Sequence, residues 1–119
     1  MIWGNNMRRV LIAGNWKMNG SVASVRELLE GLVKGAQQNT AVDWAIFPSY
    51  PFLSMSHDFV DATGVALGAQ AVSHHAHGAF TGAVSVSMLA DFGCDYVIVG
   101  HSERRQLFAE TNEMVALQF

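Results

Sequence analysis

The sequence predicts an α/β protein of about four βα units on a parallel sheet, half the number that closes an eight-stranded (β/α)8 barrel of roughly 250 residues. Three observations carry that expectation. Short apolar runs rich in β-branched residues alternate with longer segments of helical period. The 119 residues, 50% of them apolar, suffice for one core. No composition shift marks a linker, and the only repeated unit is the βα pair itself.

The elements follow in order. Val10 to Ala13 read as the first strand. A helix from about Ser21 to Gln37 carries a stripe of Val25, Leu28, Leu29, Leu32, Val33 and Ala36 that should face the sheet. Ser24, three residues before Glu27, offers a capping box, with Ser21 as a competing N-cap. "VDWAIFP" (42–48) is a second strand ended by Pro48, and "YPFLSMSHDFV" a short helix behind it. "GVALGAQ" (64–70) is a third strand, followed by the aperiodic loop "AVSHHAHGAFTG", whose length points to a functional contact. Ser85 caps a helix running to Phe92, ended by Gly93 in the left-handed conformation. Tyr96 to Val99 form the fourth strand. "LFAETNEMVALQF" is helical, with Met114, Val115 and Phe119 on one face. No glycine, basic last turn or proline stops that helix, so residues 7–119 read as a partial barrel domain truncated within the helix after the fourth strand. Met7 offers an alternative start, which makes residues 1–6 an extension or scar.

Composition narrows the function classes. Seven basic against ten acidic side chains give a net charge of −3, without the basic footprint of a nucleic-acid binder. Cys94 is the single cysteine, which excludes an internal disulfide and fits a reducing compartment such as the cytoplasm. Residues 1–14 lack the pattern of a signal peptide, and no run is long enough to span a membrane. His74, His75 and His77, with His57 and Cys94, invite a metal reading, but an H-H-x-H loop without a paired second motif is weak. The reading is of no metal, with the loop packing on a partner.

The carboxyl ends of parallel strands in such a barrel open onto the loops that hold chemistry. Asn15, Lys17, Gln70 and His101 all fall at those ends. A lone lysine there reads as a solvated surface residue and a lone histidine as a helix cap. Convergence of polar groups from three of four strands points instead to a site.

The motifs "AGNWKMNG", "GAQ", "GAFTG" and "VIVGHSERR", in this order and at these separations, closely resemble the triose-phosphate isomerase family from about Arg8 to Phe119. The resemblance implies the N-terminal half of a TIM barrel and the glycolytic interconversion of dihydroxyacetone phosphate and glyceraldehyde 3-phosphate. It implies that Lys17 holds the substrate phosphate and stabilises the developing enediolate, that Asn15 positions lysine and substrate, and that His101 is the neutral electrophile polarising the carbonyl, for which this enzyme is itself the standard example. Ser102 and Glu103 follow as supporting residues, with Glu103 placed to orient Lys17. The family's base is a glutamate on the loop of the sixth strand, so residues 1–119 alone are expected to be inactive. No cofactor is implied. Thr81 of "GAFTG" is expected to reach a second subunit near its Asn15 and Glu103, giving a homodimer, although Ala83 stands where the family usually has glutamate. Two alternatives stay open: a phosphate-binding barrel of different chemistry, against which "GHSERR" argues, and a non-catalytic half-barrel that associates with itself through its open edge.

Overall fold

A computed structural model describes residues 8–119; the expectation about residues 1–6 lies outside the described residues. The elements are β1 (Leu11–Asn15), α1 (Val22–Gln38), β2 (Asp43–Phe47), a single 3-10 turn (Tyr50–Phe52) leading into α2 (Leu53–Val60), β3 (Val65–Ala69), α3 (Val86–Asp91), β4 (Cys94–Val97), α4 (Ser102–Leu107) and α5 (Asn112–Gln118). The four strands are parallel and lie in chain order β1-β2-β3-β4. These are the four parallel βα units that the alternating pattern predicts, half the number that closes a (β/α)8 barrel.

Strand periodicity and register divide the sheet into two faces. Ile46 lies beside Leu67 and Trp44 beside Val65, and these residues pack with Val25 and Leu29 of α1, Leu53 and Val60 of α2, and Leu89 of α3. Leu29, fully buried, contributes about 2–3 kcal/mol relative to an exposed leucine. The other face carries Ala45, Phe47 and Gly68. The Phe47 ring lies so close over Gly68 that a Cβ there would sit 2.3 Å from ring carbon Cε1. Burial is concentrated in β2 and β3. The border strands are exposed, Leu11 and Ile12 on β1 and Tyr96 and Val97 on β4, and among the described residues neither outer rim has a strand partner.

Several local expectations need correction. The capping box at α1 is Ser21 with Ser24: each hydroxyl accepts the other's backbone N–H, at 3.1 and 2.9 Å. Glu27 takes no part in it, because Ser24 already occupies the position three residues after the cap. Leu28 is 48% exposed, since the buried line of α1 runs through Val25, Leu29 and Ala36, and Leu28 lies one residue off it. The fourth strand starts at Cys94, two residues early, because a bulge between Leu67 and Gly68 of β3 inserts Asp95 into the ladder. The last segment is two helices. Phe108 and Glu110 both donate to the Arg104 carbonyl, Ala109 turns left-handed at φ 55°, and Thr111 caps α5 through its hydroxyl. Met114 of α5 and Phe119, just past its end, are exposed.

Candidate active site

All four strands point their carboxyl ends to one side, where the following loops enclose a cleft of about 450 Å³. Asn15 enters it from the end of β1 and Lys17 from the loop that follows, Ser49, Tyr50 and Pro51 from the segment after β2, Gln70 and Ala71 from just past β3, and His101, Glu103 and Arg104 from the start of α4. Lys17 and His101 line this one cleft, but not from neighbouring strands as expected: they follow β1 and β4, the two border strands of the described sheet. Ser102 and Thr81 are exposed and do not line it.

Lys17 sits in the left-handed region at φ 55°, a conformation a non-glycine residue keeps only when its surroundings enforce it. Three side chains do so. Its N–H donates to Asn15 Oδ1 (3.0 Å), and its carbonyl accepts from Ser49 Oγ (2.8 Å) and Gln70 Nε2 (2.9 Å). Gln70 also donates to the Phe47 carbonyl at 2.8 Å, which joins the Lys17 turn to the end of β2. The Lys17 ammonium donates to Glu103 Oε1 at 2.5 Å. That hydrogen bond is the main cause holding the Glu103 carboxyl below its usual range. Both partners are about half exposed, so the pair orients the lysine more than it stabilises the fold.

His101 is the N-cap of α4. Gly100 precedes it at φ 64°, and a Cβ at Gly100 would press on the Arg105 guanidinium at 2.8 Å and on Val115 at 3.0 Å. The Glu103 backbone N–H donates to His101 Nδ1 at 3.1 Å, which requires a lone pair on that nitrogen and assigns the ring proton to Nε2. Glu103 Oε2 lies 3.7 Å from the same Nδ1, an ion pair only for a doubly protonated ring. We favour the backbone bond, because it is shorter and satisfies a free helix N–H. The cleft is thus lined by an ammonium held by Glu103 and by an imidazole whose Nδ1 accepts a helix N–H, so that Nε2 carries the ring proton. Tyr50 closes one wall. Its phenol donates to the Ala71 carbonyl at 2.6 Å, and burial raises its pKa, so it serves as a fixed donor.

The family model described as triosephosphate isomerase matches residues 10–119. The chain belongs to the triosephosphate isomerase family. It is 48% identical over 113 residues to a triosephosphate isomerase from Dechloromonas aromatica, covering 95% of this chain and 45% of that protein. It is 53% identical over 110 residues to the one from Herminiimonas arsenicoxydans, covering 92% and 44%, and 51% identical over 109 residues to one from Coxiella burnetii, covering 92% and 43%. The chain therefore spans less than half the length of these triosephosphate isomerases.

Within the triosephosphate isomerase half-barrel the histidine-bearing loop stands apart from the cleft. His75 stacks on Phe80 with centroids 3.7 Å apart, and His74 leans on His75 at 3.8 Å. Among the described residues no three metal-ligating side chains converge. Sequence reasoning missed Ser49, Tyr50 and Arg104. Ser49 and Tyr50 act on backbone carbonyls 32 and 21 residues away, with no local pattern to mark them. Arg104 lies within GHSERR, but its partner is Glu110, six residues on, whose side chain is only 6% exposed.

Proposed function

We propose that this chain supplies the cation and the electrophile of a triose-phosphate isomerase site, acting on dihydroxyacetone phosphate and glyceraldehyde 3-phosphate. The supporting observation is that Lys17 and His101, from opposite ends of the four-strand sheet, line one cleft. In this reading Lys17 meets the substrate phosphate with a charge whose position is already fixed, so little reorganisation is needed when the enediolate forms. His101 donates Nε2–H to the substrate carbonyl, lowering the barrier to removing the neighbouring proton. Asn15 and Glu103 hold the lysine from its backbone and its ammonium. The base that takes the proton belongs to a later strand of the barrel, so residues 1–119 alone are inactive. Thr81 contacts a second copy near that copy's Asn15 and Glu103, giving a homodimer of the whole protein, and the setting is cytoplasmic glycolysis and gluconeogenesis.

The test is a coupled isomerase assay. Residues 1–119 alone should give negligible turnover. Adding the complementary half of the Herminiimonas arsenicoxydans relative should give turnover that Lys17→Met or His101→Gln abolishes. Turnover by the 119 residues alone at the rate of a complete enzyme, or restored turnover that survives both substitutions, would overturn the proposal.

A further inference from the structure

We propose that Ser49 is a positioning residue, its hydroxyl pinning the Lys17 peptide in the left-handed turn that aims the ammonium into the cleft. The inference rests on Lys17 being the phosphate-facing cation and adds a residue that the sequence reading did not single out. Ser49 is the N-cap of the Tyr50–Phe52 turn, where a serine hydroxyl ordinarily accepts a hydrogen bond from a backbone N–H of the turn it begins. Here it makes no such bond. The Phe52 N–H is taken by the Ser49 carbonyl at 3.0 Å, and the hydroxyl instead donates across the cleft floor to the Lys17 carbonyl at 2.8 Å. A group withdrawn from its usual local partner and spent on a peptide 32 residues away marks a tertiary role.

That peptide is the strained one. Lys17 at φ 55° pays a conformational penalty unless its amide and carbonyl are both held, and the carbonyl has two donors, Ser49 Oγ and Gln70 Nε2. Gln70 divides its amide between the Lys17 and Phe47 carbonyls, whereas the Ser49 hydroxyl proton serves Lys17 alone. Loss of the hydroxyl leaves the carbonyl on the shared donor. The turn then relaxes toward ordinary backbone angles and the ammonium leaves its alignment. Threonine keeps the donor and suits the extended backbone of this position, φ −64° and ψ 154°, so Ser49→Thr should behave as the parent.

The experiment uses the 119-residue chain with ¹³C,¹⁵N-labelled lysine. The Lys17 Cα and carbonyl shifts report the left-handed turn, and titration with inorganic phosphate reports the cation. Ser49→Ala should move both Lys17 shifts toward right-handed or extended values and weaken phosphate binding about three- to tenfold, the range of one lost hydrogen bond. Ser49→Thr should restore both. Unchanged Lys17 shifts in a folded Ser49→Ala chain would overturn the inference, as would a Ser49→Thr chain no better than alanine. Lys17→Met serves as the separate control: phosphate affinity unaltered by it would sink the reading of the site, whatever the Lys17 shifts of the Ser49 variants show.

Discussion

Gly68 tests the inner face of the sheet, because the absence of a side chain there leaves room for the Phe47 ring. A methyl group at this position would meet Cε1, Cδ1 and Cζ of Phe47 at 2.3, 2.5 and 3.0 Å, where ordinary contact starts at 3.4 Å. The ring must therefore retreat by roughly 1 Å, or the strand must bend, and crowding of that size in a packed core costs about 1–3 kcal/mol. The upper part of that range is expected, since Phe47 is 7% exposed and its carbonyl is held by both Gln70 Nε2 and the Trp16 N–H. For a chain of this length, Gly68→Ala should then lower the melting temperature by on the order of 10 °C. A double-mutant cycle isolates the cause: with Phe47→Val, which removes the offending ring atoms, the added methyl should cost less than about 0.5 kcal/mol. Urea denaturation of the four chains measures the cycle. If Gly68→Ala melts with the parent, or costs the same with and without the ring, the account of this face is wrong.

Glu103 should titrate below its ordinary value of 4.5, because the Lys17 hydrogen bond favours its charged form. A depressed folded-state pKa means the pair is intact above the ordinary value and fails as pH falls through the lowered one. Carboxyl ¹³C shifts should show that midpoint, and Lys17→Met should return it toward 4.5. Arg104→Met should destabilise the chain by about 1–3 kcal/mol, since it strips the guanidinium from the nearly buried Glu110 carboxylate and leaves Gln118 Nε2 as its side-chain donor among the described residues. Equal melting of parent and variant would show that the Gln118 amide alone satisfies Glu110. Ala109→Gly should raise stability by up to about 1 kcal/mol, because glycine removes the left-handed penalty at φ 55° while losing some chain entropy. A fall in melting temperature would mean that the turn between α4 and α5 stores no strain.

The alternation of elements was legible because each strand is a short apolar run and α1 carries a long periodic stripe. What escaped the reading depends on contacts between segments. The break at Ala109 is a left-handed helix end without the glycine that normally announces one, and the helix before it stops on two donors to a single carbonyl, which no local pattern records. The start of β4 is displaced by a bulge set by its pairing with β3, while Ile98, read as mid-strand, adds one further bond to the Ala69 carbonyl beyond the strand's end. In the site, Asn15, Lys17, Gln70 and His101 could be found because they lie at or within a few residues of strand ends. Ser49 could not, since its residue type suggests a cap and its actual partner lies across the cleft.

Among the described residues the outer rims of β1 and β4 are bare, and they impose a direction on anything that joins them. Each offers a row of donors and acceptors whose slant, in a parallel ladder, is set by the strand already there. A newcomer aligned with the sheet delivers its own trailing loop to the end where Lys17 and His101 stand. One laid in reverse sends that loop to the opposite end, so the orientation of an added strand decides whether it can contribute to chemistry at all.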